Sequence, residues 1–242
     1  NSALAAPYTQ GSAANDEKGL YVGARIMYIP NLTINCYVDF FRYDWLKYTT
    51  AGPGKGYEMA FYPEYSFNEN WQLSGKYFIE SKPVKVTGVY SKINIEQRRQ
   101  MFRLDLKGEL SSSFSWKCRF DQSFYRHDHR STGFMICEDF GYHTHDSNIV
   151  LWGRICYFKT ADYDSRLYAY ENDLLYNFSF PALYGNGFRA YLSGKVKISK
   201  KIGIRIKYGE FWYLDDRQIG TGDYEIDGNR KSELKIQLRL KI

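Results

Sequence analysis

Four histidines and four cysteines are the residues of this chain best equipped for chemistry. His127, His129, His143 and His145 form two His-x-His pairs, each enclosing or flanked by an aspartate, Asp128 and Asp146. Neutral imidazoles beside carboxylates are the ligand set of zinc or nickel. The pairs bracket one predicted strand, however, and about fourteen residues at ~3.3 Å each would hold them ~45 Å apart. One ion cannot use both pairs, so these histidines read as polar loop residues and no metal site is assigned. Cys36 and Cys118 lie on apolar strand faces and read as small hydrophobes. Cys137 and Cys156 differ, because a hairpin centred between Asp146 and Ser147 sets them opposite each other. They are a candidate cross-strand disulfide in an oxidising compartment, against the awkwardness of bridging adjacent strands.

Nucleophile and phosphate motifs are missing: there is no G-x-S-x-G, no P-loop and no C-x-x-C. The expectation is therefore a protein that is not an enzyme and carries no cofactor. One constellation stands out. Arg189, Lys195 and Lys197, then Arg205 and Lys207, then Lys231, Lys235, Arg239 and Lys241 recur on the polar face of the last three predicted strands, with only Glu233 against them. In an up-and-down order those faces adjoin and make a basic wall suited to anionic solutes or a nucleic-acid backbone. The alternative is pairing with acids on other strands, such as Glu58, Glu64, Asp105, Glu138 and Asp139.

The elements that must position these residues are strands. From Ser232 to Ile242 the alternation is unbroken: Leu234, Ile236, Leu238, Leu240 and Ile242 share one face, and Glu233, Lys235, Gln237, Arg239 and Lys241 the other. Such a strand left as an edge invites aggregation, and barrel closure removes the edge. Upstream, about twelve alternating segments of roughly ten residues follow one another, the length that crosses a bilayer at a tilt. Short polar turns at Asn68–Asn70, Ser111–Ser113, His145–Asn148 and Ser199–Lys201 contrast with wide loops around residues 49–55 and 215–229. Residues 164–183, where Tyr168, Tyr170, Leu174, Tyr176, Phe178 and Phe180 alternate, throw the turns out of phase. They read as one long strand, or as two, which would raise the count to thirteen, place residues 1–18 outside and point to strands upstream.

Composition agrees with a membrane β-barrel and does not demand one. The 242 residues include 23 Tyr, 16 Phe and 5 Trp, with a net charge of +6. A mean hydropathy of −0.52 is that of a polar protein, but every second residue of a barrel faces the lumen. No apolar run is long enough for a transmembrane helix, and no signal peptide is visible. Tyr43 with Trp45, Tyr176 to Phe180, and Tyr208 with Trp212 are candidates for interfacial girdles. The reading is an all-β, antiparallel up-and-down transmembrane barrel over residues 19–242, preceded by a polar loop over residues 1–18 and forming all or part of a barrel.

Several local stretches also resemble a known family. They are Pro7-Tyr8-Thr9-Gln10 with Glu17-Lys18-Gly19, Tyr163 to Asp173, Pro181-Ala182-Leu183-Tyr184-Gly185-Asn186-Gly187, and Ile226 to Glu233. The chain is similar along its length to the C-terminal part of Bacteroidota outer-membrane proteins, usually labelled competence-type helix-hairpin-helix proteins. In that family small helix-hairpin-helix repeats precede a large barrel; this chain has no such repeats. The resemblance implies the outer membrane of a Gram-negative bacterium, with the lipid bilayer and lipopolysaccharide as surroundings and other outer-membrane proteins as partners. It brings no activity and no residue roles. The expected function is a pore or a subunit of an envelope transport assembly, with a plugged, partner-binding or DNA-uptake barrel as the alternative.

Overall fold

The computed structural model of the protein describes residues 17–45, 49–87, 92–215, 218–220 and 222–240. Eleven strands make one antiparallel sheet: β1 (Glu17–Ile26), β2 (Leu32–Tyr43), β3 (Gly54–Ser66), β4 (Trp71–Thr87), β5 (Lys92–Glu109), β6 (Phe114–Arg126), β7 (Arg130–His143), β8 (Ile149–Thr160), β11 (Asn186–Lys197), β12 (Ile202–Tyr213) and β15 (Arg230–Leu240). Two small ribbons, β9 (Leu167–Tyr168) with β10 (Ala182–Leu183) and β13 (Gln218–Ile219) with β14 (Ile226–Asp227), and one 3-10 turn, Gly222–Tyr224, complete the inventory of the described residues. Each sheet strand pairs with the next in the order given, which is an up-and-down meander. Among the described residues β1 and β15 each pair on one side only, so the sheet has two edges. Glu17 and Lys18 already belong to β1, and the rest of the expected N-terminal loop lies outside the described residues.

The tight turns share one local cause. Asn68 Oδ1 accepts from the N–H groups of Asn70 and Trp71, each at 2.9 Å. Ser111 Oγ does the same for Ser113 and Phe114, and Ser199 Oγ for Lys201 and Ile202, all at 3.2 Å. Asp146 accepts from the Asn148 N–H at 3.0 Å. A short side-chain oxygen thus satisfies the amides that a reversing chain leaves bare, which is why Asn, Ser and Asp stand there.

Residues 161–185 correct the expected strand count. They are not a sheet strand or a pair of them: β8 pairs directly with β11, Asn186 standing opposite Lys159. The segment forms the β9–β10 ribbon and an isolated bridge between Glu171 and Ser179. With it taken as a connection, the turns at 68–70, 111–113, 145–148 and 199–201 all fall at one end of the sheet, and the phase conflict disappears. The segment lies across one face, here called the strap face, and the opposite face is bare.

Alternation divides the two faces. On the bare side Leu234, Ile236, Leu238 and Leu240 are each more than 60 % exposed, and Leu192, Ile206, Ile155, Ile136 and Leu104 continue the row. On the strap side Met135, Cys137, Cys156 and Phe158 are buried under Leu167, Ala169 and Leu183, with Tyr213 and Ile219 alongside. Cys137 stands opposite Cys156 in the β7–β8 register and the two form a disulfide inside this small core. The only compact apolar core the described residues show is therefore the one between strap and sheet.

Candidate functional site: a divided cationic wall

The basic wall forms as a continuous strip. In register, Lys195 faces Arg205, Ser193 faces Lys207, and Lys207 faces Lys235. Arg189, Lys195, Lys197, Arg205, Lys207, Lys235 and Arg239 all fall on the strap face by strand parity; Lys241 lies outside the described residues. Lys231 shares that face at the far end of β15.

Its half nearest the long loops is neutralised, by Glu233 and by two strap residues that sequence reasoning did not consider. Glu171 in the strap takes both Arg189 Nε at 2.8 Å and Nη2 at 2.9 Å, and also Lys207 Nζ at 2.7 Å. Asp173 sits between the two facing lysines, 3.3 Å from Lys207 and 2.8 Å from Lys235. Glu233 adds a contact to Arg189 at 2.5 Å. Three cations thus meet three carboxylates, and Lys207, with no exposed surface, could not be carried there alone. Gly209 makes room: a Cβ there would meet the Arg189 guanidinium at 2.5 Å, so a bare backbone lets the group lie flat on the sheet.

The strap is anchored strand by strand. Ser123 Oγ donates to the Ser165 carbonyl at 2.6 Å, Arg119 Nη2 to the Tyr168 carbonyl at 3.0 Å, and Arg154 Nη1 to the Tyr170 carbonyl at 2.6 Å. Gln237 on β15 closes the far end, accepting from Leu175 N–H at 2.9 Å and donating to its carbonyl at 3.2 Å. These contacts carry the segment from β6 across to β15. Three of the five acids named as alternative partners are engaged elsewhere: Asp105 with Lys117, Asp139 with Arg154, Glu58 with the Tyr37 hydroxyl. Glu138 stands opposite Cys118, and by parity both are on the bare side.

The other half of the wall is not neutralised. Among the described residues no carboxylate lies within ion-pair distance of Lys195, Lys197, Arg205 or Arg239. Together with Lys201 they line an open cleft of about 650 Å³ beside the β11–β12 turn. A larger cleft of about 740 Å³, largely apolar, is lined from β1 to β5 by residues that include Leu20, Phe40, Tyr57 and Ile95 and by none of this cluster. Chemically the cationic cluster can bind or guide anions; like charges held this close attract a counter-ion.

The histidine pairs stand at the two ends of β7, with His143 its last residue and His129 just before its first. His129 lies among carboxylates: Nδ1 is 2.7 Å from Asp128, and Nε2 is 3.0 Å from Asp162 and 3.6 Å from Asp164. Hydrogen bonding to Asp128, assisted by Asp162, raises the His129 pKa above its ordinary value despite some desolvation. Asp162 and Asp164 belong to the strap, so no local spacing advertised this grouping. The expected girdle residues also redistribute. Tyr43 is buried, and Tyr176 and Phe178, nearly 90 % exposed, belong to the strap instead of a strand end.

No family model and no curated protein matches the chain. Among solved structures that do match is the copper transporter OprC, at 8 % identity and a TM-score of 0.42 over 92 % of this chain. The chain spans about two fifths of that structure's length, 41 %.

Proposed function

We propose that this chain is wall and internal strap of an outer-membrane β-barrel, and that the wall guides anionic solutes through an envelope transport assembly. The observation that carries the reading is the cluster Lys195, Lys197, Arg205 and Arg239, uncompensated on the face opposite a row of exposed aliphatic side chains. Charges without partners are costly to keep inside a barrel unless water or a permeant ion balances them.

The membrane setting rests on the bare face. At the short-turn end Tyr65 with Phe67, Trp71 with Trp116, and Phe114 with Tyr142 make ring contacts at 5.1, 5.9 and 4.8 Å. At the other end Phe134 meets Tyr157 edge-on at 5.8 Å, and Tyr157 meets Phe188 at a tilt at 5.1 Å. Along β7, Phe134 and Tyr142 stand eight residues apart, or ~26 Å along the strand at ~3.3 Å per residue and ~20 Å along the membrane normal at a tilt of ~40°, a span of the order of the apolar band between the two aromatic girdles of a membrane barrel. The resemblance to Bacteroidota outer-membrane proteins points the same way, and lipid and lipopolysaccharide would then be the neighbours of this face. Other outer-membrane proteins are the proposed partners, and a nucleic-acid backbone is one polyanion the cations would attract.

A second reading is favoured by the strap. Residues 161–185 lie over the strap face of β6 to β15, so the barrel works plugged, through a partner. Planar-bilayer conductance with reversal potential under a salt gradient separates the two. Anion-preferring steps that shift toward cations in Lys195→Glu/Arg205→Glu support the guide; silence from folded, inserted protein refutes conduction and leaves the plugged barrel.

A further inference from the structure

We propose that His129, Asp162 and Asp164 form a binding site for one divalent transition-metal ion, zinc by ligand type, where the β6–β7 turn meets the root of the strap. Sequence spacing paired the histidines with each other; the fold instead gives His129 two carboxylates from a segment more than thirty residues on.

The geometry is already close to a coordination sphere. Two ligands each ~2.0–2.1 Å from a tetrahedral zinc stand about 3.3 Å apart. His129 Nε2 lies 3.0 Å from Asp162 Oδ2 and 3.6 Å from Asp164 Oδ2, and one ligand atom from each residue falls within 4.8 Å of the others. Water would supply the fourth position. The ring and the Asp162 carboxylate are each also aimed by a separate contact. Asp128 Oδ1, 2.7 Å from Nδ1, keeps a proton on that nitrogen, so Nε2, which donates to Asp162 when no metal is bound, is the ring atom that can exchange its proton for a metal ion, the carboxylate–histidine arrangement that supports metal ligands. Asp162 has its other oxygen tied down by Ser131 Oγ at 2.6 Å and by the Asp164 N–H at 2.8 Å, so Oδ2 stays on the His129 side. The buried Tyr125 ring packs 5.7 Å from the imidazole and limits its swing.

Charge gives an independent reason. Three carboxylates surround one imidazole, and among the described residues no lysine or arginine stands within ion-pair distance of any of them. An ion of charge +2 at Nε2 would offset two of the three negative charges, with any Nε2 proton released to solvent as the metal binds. An imidazole ligand selects zinc-like ions over magnesium or calcium, which prefer all-oxygen sites. The site fastens the strap's first residues to the sheet, so its occupancy would tighten the strap at the long-loop end.

The test is zinc alone, titrated against a chromophoric chelator into the folded, detergent-solubilised protein after chelator stripping. One equivalent is expected to bind, and His129→Ala and Asp164→Asn are each expected to weaken it by at least ~10-fold. The double variant His143→Ala/His145→Ala is expected to bind as the parent does. Asp164 is the decisive position, because its side chain makes no hydrogen bond that shapes the loop, and tryptic resistance at Arg166 reports that the strap is still seated. Binding of no zinc by the parent, or undiminished binding by Asp164→Asn, overturns the site. Loss of binding only in the His143/His145 variant overturns it too.

Discussion

Removing the Glu171 carboxylate should release the strap without unfolding the sheet. In Glu171→Gln, Arg189 and Lys207 lose the acid that takes three of their nitrogen atoms, while both remain buried. Taking away one partner of a buried ion pair costs ~3–5 kcal/mol. Glu233 retains Arg189 and Asp173 retains Lys207, so the lower figure applies here. About 3 kcal/mol is a little over 100-fold in the opening equilibrium. The strap offers a convenient reporter: Arg166 is its sole Lys or Arg, and the bond that trypsin would cut leads into Leu167, which has no exposed surface. When reclosing outpaces cleavage, the cutting rate tracks the open population. The fragment ending at Arg166 should therefore appear about 100-fold faster in Glu171→Gln, at unchanged sheet content by circular dichroism. Cleavage at the parental rate from a folded variant would refute the claim that these ion pairs hold the strap. Replacing Glu171, Arg189 and Lys207 together by leucine should recover much of the protection, since the cost arises from an orphaned charge and not from a missing bond.

Four further outcomes follow from the same structure. Gly209→Ala should mimic Glu171→Gln in weaker form, because the new methyl displaces the Arg189 guanidinium; the tryptic assay reads it. Ile236→Arg should cost ~2–4 kcal/mol in a lipid bilayer near mid-depth, measured by equilibrium unfolding in vesicles, and no loss would refute a lipid-facing row. Replacing Cys137 and Cys156 together by alanine should destabilise by ~3 kcal/mol in denaturant, and reductant should then have no further effect. The Thr144 hydroxyl and Asn148 N–H hold the Asp146 carboxyl below its ordinary value of 3.8. Its contribution to the turn is thus present above that pH and fades as pH falls through the lower folded value, which carboxylate NMR would follow.

Strands, turns and faces were legible in the residues because each has a local cause. Period-two alternation separated Leu234, Ile236 and Leu238 from Lys235 and Gln237, and the hairpin centre at Asp146 and Ser147 paired Cys137 with Cys156. The sheet's edges were not legible, since pairing across a sheet depends on residues far apart in the chain. The same limit hid the metal ligands Asp162 and Asp164.

The strap is the instructive failure, because its alternation is real. Tyr170, Tyr176, Phe178 and Phe180 fall at even positions and are exposed, while Leu167, Ala169, Glu171 and Asp173 fall at odd positions and are buried. A two-residue period reports an extended backbone between unlike surroundings and says nothing about which neighbour the backbone pairs with. Reading the alternation as a strand or two of the sheet therefore mistook a strap for a wall. The corrective signal was charge. Glu171 and Asp173 are spaced by two, and the last three strands set Arg189 opposite Phe211 and Lys235 opposite Lys207, so Glu171 meets Arg189 and Lys207 while Asp173 meets Lys207 and Lys235. A segment that buries two carboxylates needs cations on the strands beneath it, and the last three strands supply them. Complementary charge thus locates a segment where hydrophobic alternation only establishes that it is extended.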